Sequence, residues 1–271
     1  MIQEFCNYLR SIRGYSENTI RAYRNDLQTF ATWARENATS CKWSEINRDD
    51  IDAFLTHQQR QGLKPSTTNR QISAISSLYR YLQRQGFAII NPCQYESRRK
   101  QAQTTPATIP AAHIKKAYER AQGATKLMLG LLATTGIRIQ EMLDLKWNDI
   151  NFEDSSIHIT GKGSKDRVVN TQDNILAILK DVAKWARPER NIFYISQREA
   201  RYRIYEALRP YSNSRQLSPH AIRHTFATEL AKQGVNCASI AKILGHNHIE
   251  TSQKYIDLAQ VPATKGGICL T

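Results

Sequence analysis

The residues best suited to chemistry lie in the segment SPHAIRHTFATEL, where His220 and Arg223 are three positions apart. On a helix this spacing places both side chains on one face near the amino-terminal end, where the helix dipole also favours an anion. The pair therefore indicates phosphate binding, although such pairs are also common on exposed helices. Zinc binding by His220 and His224 is disfavoured, because the HExxH motif needs Glu after the first His and this chain has Ala221. We expect no metal site.

Three further segments carry ionisable residues that suit a phosphate site. In TTGIRIQE, Arg138 follows a glycine turn at a predicted helix start, and Glu141 comes one turn later. Lys162 lies in GKGSKDR at a predicted hairpin tip, and His246 precedes Tyr255 by nine residues in LGHNHIETSQKYID. Taken singly, each has a structural explanation: an exposed ion pair, a solvated lysine or a half-buried aromatic ring. The signal is in their combination and order.

In that combination and order, the chain resembles the tyrosine recombinase (phage integrase) family and is most similar to its simple Xer-like members. The resemblance extends from YSENTIRAYRNDLQTF through Tyr255, nearly the whole chain. It implies a helical, SAM-like core-binding domain followed by an α+β catalytic domain, and it implies no cofactor. It also implies six catalytic residues: Arg138, Lys162, His220, Arg223, His246 and Tyr255.

The chemistry of these residue types agrees with those roles. Metal-free cleavage of a phosphodiester requires that charge on the non-bridging oxygens be neutralised, and two arginine forks can do this. Tyr255 needs a proton acceptor because a phenol of pKa near 10 is only about 0.1% ionised at neutral pH, and His220 is the best candidate. Lys162 would protonate the leaving 5′-hydroxyl, and His246 would hydrogen-bond the phosphate. Glu141 would orient Arg138 or a neighbouring histidine.

Composition supports a polyanionic partner. The 271 residues contain 38 Lys plus Arg against 24 Asp plus Glu, a net charge of +14 that attracts and retains phosphate. Five scattered cysteines without a CxxC pair argue against a disulfide framework or a thiolate zinc site and fit a reducing compartment. The sequence has neither a signal core nor an apolar run long enough for a membrane span. We expect a cytoplasmic, nucleoid-associated protein.

The first part of the chain is predicted to be all-helical. Apolar residues recur at helical spacing in three segments: Ser16–Ala34, Arg48–Gln61 and Pro65–Gln85. One face of the third helix carries cationic and hydroxyl side chains that suit a DNA groove, namely Arg70, Ser77, Arg80 and Arg84. A solvated helix face is the alternative interpretation. We predict a helical domain over 1–93 and a linker over 94–110, which would span roughly 55 Å if extended, enough for a clamp around DNA.

The second part is predicted to be a mixed domain over 111–271. Helices are predicted at 111–121 and 124–135, and another follows Gly136. A β-hairpin is predicted from strand 156–160 and a return strand that begins at Val168. The remaining predicted elements are helices at 171–187, 197–208, 219–232 and 238–244, and a short strand at 191–195. The predicted fold class is therefore mainly α with a small β-sheet.

Two other functions compete with recombination. TFATELAKQGVNCASIAKILGH has two predicted helices joined at Gly234, as in a helix-turn-helix regulator, but that function leaves the order of Arg138, Lys162 and Tyr255 unexplained. A type IB topoisomerase would use a similar tyrosine site, but the simple two-domain layout and the Xer-like sequence argue against it. We expect a recombinase that binds double-stranded DNA with inverted half-sites, as a dimer per site and a tetramer in synapse, with or without a paralogous recombinase, and no membrane.

Overall fold

The computed structural model describes residues 1–87, 90–94, 106–161, 166–213, 216–246 and 250–260. The chain forms two compact units, Met1–Gln103 and Thr104–Thr271. The predicted fold class, mainly helical with one small sheet, is confirmed. The division falls inside the segment predicted as a linker, and the domain bounds themselves remain predictions.

The described residues of the first unit form four helices around one apolar core: α1 (Ile2–Ser11), α2 (Glu17–Asn37), α3 (Arg48–Arg60) and α4 (Pro65–Arg84). Helices α2 to α4 lie where the apolar periodicity predicts them, and the sequence analysis did not predict α1. The Ser16 hydroxyl caps α2 by accepting from the Thr19 amide, and a reciprocal Asn47–Asp50 capping box begins α3. These caps satisfy amide groups that a helix start leaves without partners.

Within the described residues, the second unit has eight α-helices and three strands, which pack around a separate core and a second, smaller apolar cluster. Its helices are α5 (Ala111–Arg120), α6 (Gly123–Thr135), α7 (Ile139–Asp144), α8 (Asp173–Ala183), α9 (Gln197–Leu208), α10 (Pro219–Lys232), α11 (Cys237–Leu244) and α12 (Glu250–Gln260). Its antiparallel sheet has the order β1 (Ile150–Asn151), β2 (Ser156–Thr160) and β3 (Asp166–Asn170). No helix in the described ranges is long and apolar enough to cross a bilayer.

Three local predictions differ from the structure. The helix predicted at 171–187 is the shorter α8, which ends before the exposed Trp185. The strand predicted at 191–195 is wrong: only Asn191 forms a bridge, to Lys146, and the apolar Phe193 is buried in a loop. A short apolar run shows burial but does not by itself show strand pairing. The return strand begins at Asp166, two residues earlier than predicted, and the hairpin tip lies outside the described residues.

A left-handed glycine sets the direction of the chain before Arg138. Gly136 ends α6 with φ of +63°, and Arg138 is the N-cap residue of α7. A Cβ atom at Gly136 would overlap the Phe226 ring and touch Leu244. Backbone strain and steric crowding therefore both require glycine here.

We predict that Gly136→Ala lowers the free energy of unfolding by about 2–4 kcal/mol, because left-handed strain adds to overpacking. The matched control is Gly234→Ala, at φ +83° with no heavy atom within 4 Å of the added Cβ. That control should cost only about 1 kcal/mol. Urea unfolding of the three proteins measures both values, and equal losses would contradict the role of the Phe226 contact.

Candidate active site

Arg223 is a buried cation at the centre of the second unit. It projects from α10 and is only 2% exposed. Its Nη1 donates to the Gly136 carbonyl and its Nη2 to the Leu244 carbonyl, both at 2.7 Å. Burial, and secondarily the positive charge of Arg138, lowers the pKa of Arg223 to about 10, so that the guanidinium stays charged at neutral pH.

Arg138 also binds the carboxyl end of α11, whose last residue is Leu244. Its Nη2 donates to the Gly245 carbonyl at 3.1 Å, one residue beyond the carbonyl that holds Arg223. Its Nη1 donates to Glu141 at 2.7 Å. The side chain is 44% exposed, so part of the guanidinium faces solvent. The two arginines thus form a cationic pair with one buried and one accessible member.

Within the described part of the chain, Glu141 is the only carboxylate that forms an ion pair with Arg138. It is nearly buried and accepts four hydrogen bonds, two from Arg138, through the main-chain amide and Nη1, and two from Arg167. Burial raises the pKa of this carboxyl, but the hydrogen bonds and charges of Arg167 and Arg138 outweigh it and lower the pKa to about 2. Glu141 is therefore ionised at all physiological pH values.

Tyr255 is buried in α12, with 1% of its surface exposed. Its ring packs in a small apolar cluster with Ala227, Ile240 and Leu244. Its hydroxyl lies 2.7 Å from Nδ1 of His224. Burial raises the pKa of the phenol, although Arg223 and Arg138 act in the opposite direction. The hydroxyl is therefore protonated at neutral pH and held by a histidine.

Three histidine rings surround this tyrosine. The ring centroid of His246 lies 6.2 Å from that of Tyr255 in a stacked arrangement, and its Nδ1 is 2.7 Å from the Ser252 hydroxyl. His220 is exposed, and its ring packs edge-on against His224 with the centroids 4.3 Å apart. The cluster thus connects the buried hydroxyl to the exposed edge of the site.

All three rings are neutral at pH 7. Burial, followed by the positive charges nearby, lowers the pKa of His224 to about 3 and that of His246 to about 4. The same causes lower the pKa of His220. Lys254 adds to the positive field, because its Nζ lies 5.2 Å from the centroid of the Tyr255 ring. The site is therefore cationic through its arginines and this lysine, with neutral histidines that can accept protons.

The structure brings together most of the residues that the sequence analysis selected: Arg138, Glu141, His220, Arg223, His246 and Tyr255. Lys162 lies outside the described residues. Two contributors were missed. The sequence suggests His224 only as a disfavoured zinc ligand, and it does not predict that Arg167 in GKGSKDR lies in the site. The Arg-His dipeptide after His220 and the basic residues of the predicted hairpin are visible in the sequence. Residue type alone does not show which of these side chains enter the site.

The four α4 residues predicted to suit a DNA groove, Arg70, Ser77, Arg80 and Arg84, have unequal surroundings. Arg70 forms a bidentate pair with the buried Asp26, at 2.7 and 2.9 Å. Arg80 and Arg84 are exposed, and Ser77 is half-buried. Two neighbouring grooves, each of about 400 Å³, share Ser77 and Arg80 in their walls. Tyrosines contribute to the walls of both grooves, and the Arg84 guanidinium donates to the Tyr8 hydroxyl at 2.8 Å.

Comparisons with known proteins cover both units. Residues 108–261 match the model of the phage integrase family, and residues 2–86 match the phage integrase N-terminal SAM-like domain. Tyrosine recombinase XerD of Listeria innocua serovar 6a is 28% identical over 96% of this chain and 95% of its own length. Tyrosine recombinase XerC of Lacticaseibacillus casei is 30% identical over 94% of this chain and 92% of its own length.

Solved structures match the fold over nearly the whole chain. XerH site-specific recombinase bound to palindromic difH substrate, in a post-cleavage complex, matches with a TM-score of 0.78 at 19% identity, over 96% of this chain and 82% of that one. A lambda integrase dimer bound to a COC′ core site matches with a TM-score of 0.74 at 18% identity, over 98% of both chains. At these identities the matches show a shared fold.

The neutral histidines predict a pH-dependent stability. Because the folded-state pKa of His224 is about 3 and the unfolded value is near 6.5, only the unfolded chain takes up this proton as the pH falls below 6.5. We predict that His224 alone removes about 1–2 kcal/mol of stability between pH 6.5 and pH 5. His224→Asn should reduce the wild-type loss by that amount in urea unfolding at the two pH values. An unchanged loss would contradict a buried neutral ring.

Proposed function

The chain belongs to the phage integrase family of tyrosine recombinases, and on that premise we propose that it cleaves and rejoins DNA strands through a 3′-phosphotyrosyl intermediate at Tyr255. One observation carries the proposal. The guanidinium groups of Arg138 and Arg223 converge on the carboxyl end of α11, and the tyrosine lies within the same cluster under three neutral histidines. This arrangement supplies charge for a phosphate and a nucleophile of the right type.

The arginines would neutralise the phosphate. The accessible edge of Arg138 and the buried Arg223 offer paired N–H donors to the two non-bridging oxygens, where negative charge grows in the transition state. His246 would donate a further hydrogen bond to the same phosphate from its neutral ring. No cofactor is needed, because the intermediate keeps the energy of the broken ester bond.

The proton transfers balance in this scheme. Tyr255 leaves His224 and transfers its phenolic proton to His220, the exposed ring that packs against His224. A bond forms between the phenolic oxygen and phosphorus, and the bond from phosphorus to the 5′-oxygen breaks. Lys162 protonates that 5′-oxygen. Religation by a 5′-hydroxyl of another strand reverses these steps and frees the tyrosine.

Both units offer surfaces for DNA. In the first unit, Ser77, Arg80 and Arg84 would contact phosphates along the two grooves, whose walls include Tyr8 and other tyrosines. Arg70 would offer only the edge of its guanidinium that is not bound to Asp26. In the second unit, α9 exposes alternating basic and aromatic side chains, namely Arg198, Arg201, Tyr202 and Tyr205. Cationic and aromatic groups of this kind bind the sugar–phosphate backbone.

The helix-turn-helix alternative has less support. Arg223 of α10 donates to a carbonyl at the end of α11, so this helix pair holds a charged residue of the site in place. For the assembly, we propose a dimer on inverted half-sites and a tetramer across two duplexes, with or without a paralogous recombinase, acting on the nucleoid in the cytoplasm. The relatives named for a palindromic substrate and for a dimer on a core site support this proposal.

The nucleophile is tested with a nicked suicide substrate, in which the released strand end diffuses away and traps the covalent product. Wild type should form a denaturation-resistant protein–DNA adduct. Tyr255→Phe should bind the same DNA within about threefold and form none, because only the reacting hydroxyl is lost. Tyr118→Phe, a matched substitution on α5, should keep the adduct. An undiminished adduct in Tyr255→Phe would contradict the proposal.

Salt dependence tests the proposed DNA contacts of Arg80 and Arg84 on α4. Arg80→Ala and Arg84→Ala should each weaken DNA binding and reduce the slope of log K against log salt by about 1, with unchanged stability. Arg70→Ala should instead lower the free energy of unfolding by about 1–3 kcal/mol, because it leaves the buried Asp26 carboxylate unpaired. Fluorescence anisotropy and urea unfolding measure the two effects. Unchanged slopes for both Arg80 and Arg84 variants would remove this surface from the DNA interface.

A further inference from the structure

Arg167 is a buried cation to which neither the family resemblance nor the proposed chemistry gives a role. It lies on β3, paired in register with Ile159 of β2, and its side chain is 8% exposed. Its Nε donates to the Ile243 carbonyl at 2.8 Å, and its two Nη atoms donate to the two oxygens of Glu141 at 3.1 and 2.8 Å. All three donor atoms are used inside the protein. Arg167 therefore has no free edge for a phosphate in this arrangement.

The bidentate contact changes the charge balance around Arg138. Glu141 carries one negative charge and touches two guanidinium groups. If Arg167 were absent, the nearly buried carboxylate would have Arg138 as its neighbouring cation, and the pair would be neutral. With Arg167 present, the group of three keeps one net positive charge. The exposed member of the group is Arg138.

Arg167 also sets where Arg138 points. The Glu141 oxygen that accepts from Arg138 Nη1 accepts from Arg167 Nη1 as well, and the other oxygen accepts from the Arg138 main-chain amide. A carboxylate held on both sides has one orientation, and so has the guanidinium bound to it. The packing leaves little space, because a Cβ atom at Gly245, which has φ of +65°, would lie 3.0 Å from Arg167 Nη1.

We propose that Arg167 is a positioning residue for strand cleavage: it neutralises and orients Glu141, so that Arg138 presents its charge to the scissile phosphate. This inference rests on the proposed function. Arg167 acts through Glu141 and contacts no reacting atom. Because β3 carries Arg167, the hydrogen bond from Arg167 to the Ile243 carbonyl also fixes the hairpin stem against the carboxyl end of α11.

The experiment measures single-turnover cleavage of the nicked suicide substrate by the full chain. Arg167→Gln should slow cleavage by about 10- to 100-fold, because the Arg138 guanidinium, once misdirected, stabilises the transition state less well. Binding of intact duplex should change by less than about threefold, since Arg167 is not at the DNA surface. Arg167→Lys keeps the charge and should lose less than Arg167→Gln.

A second substitution tests whether the unneutralised charge of Glu141 causes the slower cleavage. Glu141→Gln in the Arg167→Gln background removes the carboxylate that Arg167 neutralises, while its amide oxygen can still accept from the Arg138 amide. The double variant should cleave at least about fivefold faster than Arg167→Gln alone. A merely structural role for Arg167 would give no such recovery, because the double variant would lose further packing. Thermal unfolding of each variant separates this effect from loss of the fold.

The matched control is Arg10→Gln in the first unit, which breaks a bidentate Arg–Glu pair of the same type and removes the same charge. It should cleave at the wild-type rate. Wild-type rates for Arg167→Gln, or a double variant no faster than the single one, would overturn the inference while leaving the proposed function intact. A wild-type protein that forms no adduct would overturn the proposed function and this inference with it. If Arg167→Gln does not fold, the same comparison is made between Arg167→Lys with and without Glu141→Gln.

Discussion

The site depends on how one helix end holds three positive charges close together. The three successive carbonyls of residues 243–245 accept hydrogen bonds from Arg167, Arg223 and Arg138 respectively. Carbonyls at the carboxyl end of a helix lack intrahelical partners and carry the negative end of its dipole. They offset part of the repulsion among the guanidinium groups, and the Glu141 carboxylate offsets more. The cluster still keeps a net positive charge that favours an anion.

The same packing separates Tyr255, the proposed nucleophile, from solvent. Helix α12 packs on α10 and α11, which places the Tyr255 ring in an apolar cluster and its hydroxyl on His224. Burial keeps the phenol protonated, and burial together with the nearby positive charges keeps the histidines neutral. A cationic cluster thus lies beside a protonated tyrosine and neutral histidines. Burial is the largest cause of these protonation states, and the charges of nearby groups add to it at the histidines.

Much of the fold could be predicted from the sequence, because long amphipathic helices such as α2 and α4 have an unambiguous period. Elements that are short or that only tertiary contacts define could not. Strand β1 has two residues, and Phe193 is apolar because a loop buries it. In the site, residue types and order selected the arginines and Tyr255. Which histidine touches the hydroxyl depends on how α12 packs on α10, and that is not written in local spacing.

The proposed reaction bonds the Tyr255 oxygen to a DNA phosphorus. Mass spectrometry of the trapped wild-type complex after nuclease and trypsin digestion measures this most directly, because trypsin cleaves after Lys254 and releases a peptide that begins with Tyr255. The account predicts that the remaining nucleotide mass lies on that tyrosine. A nucleotide found on another residue, such as the exposed Tyr202, would contradict it.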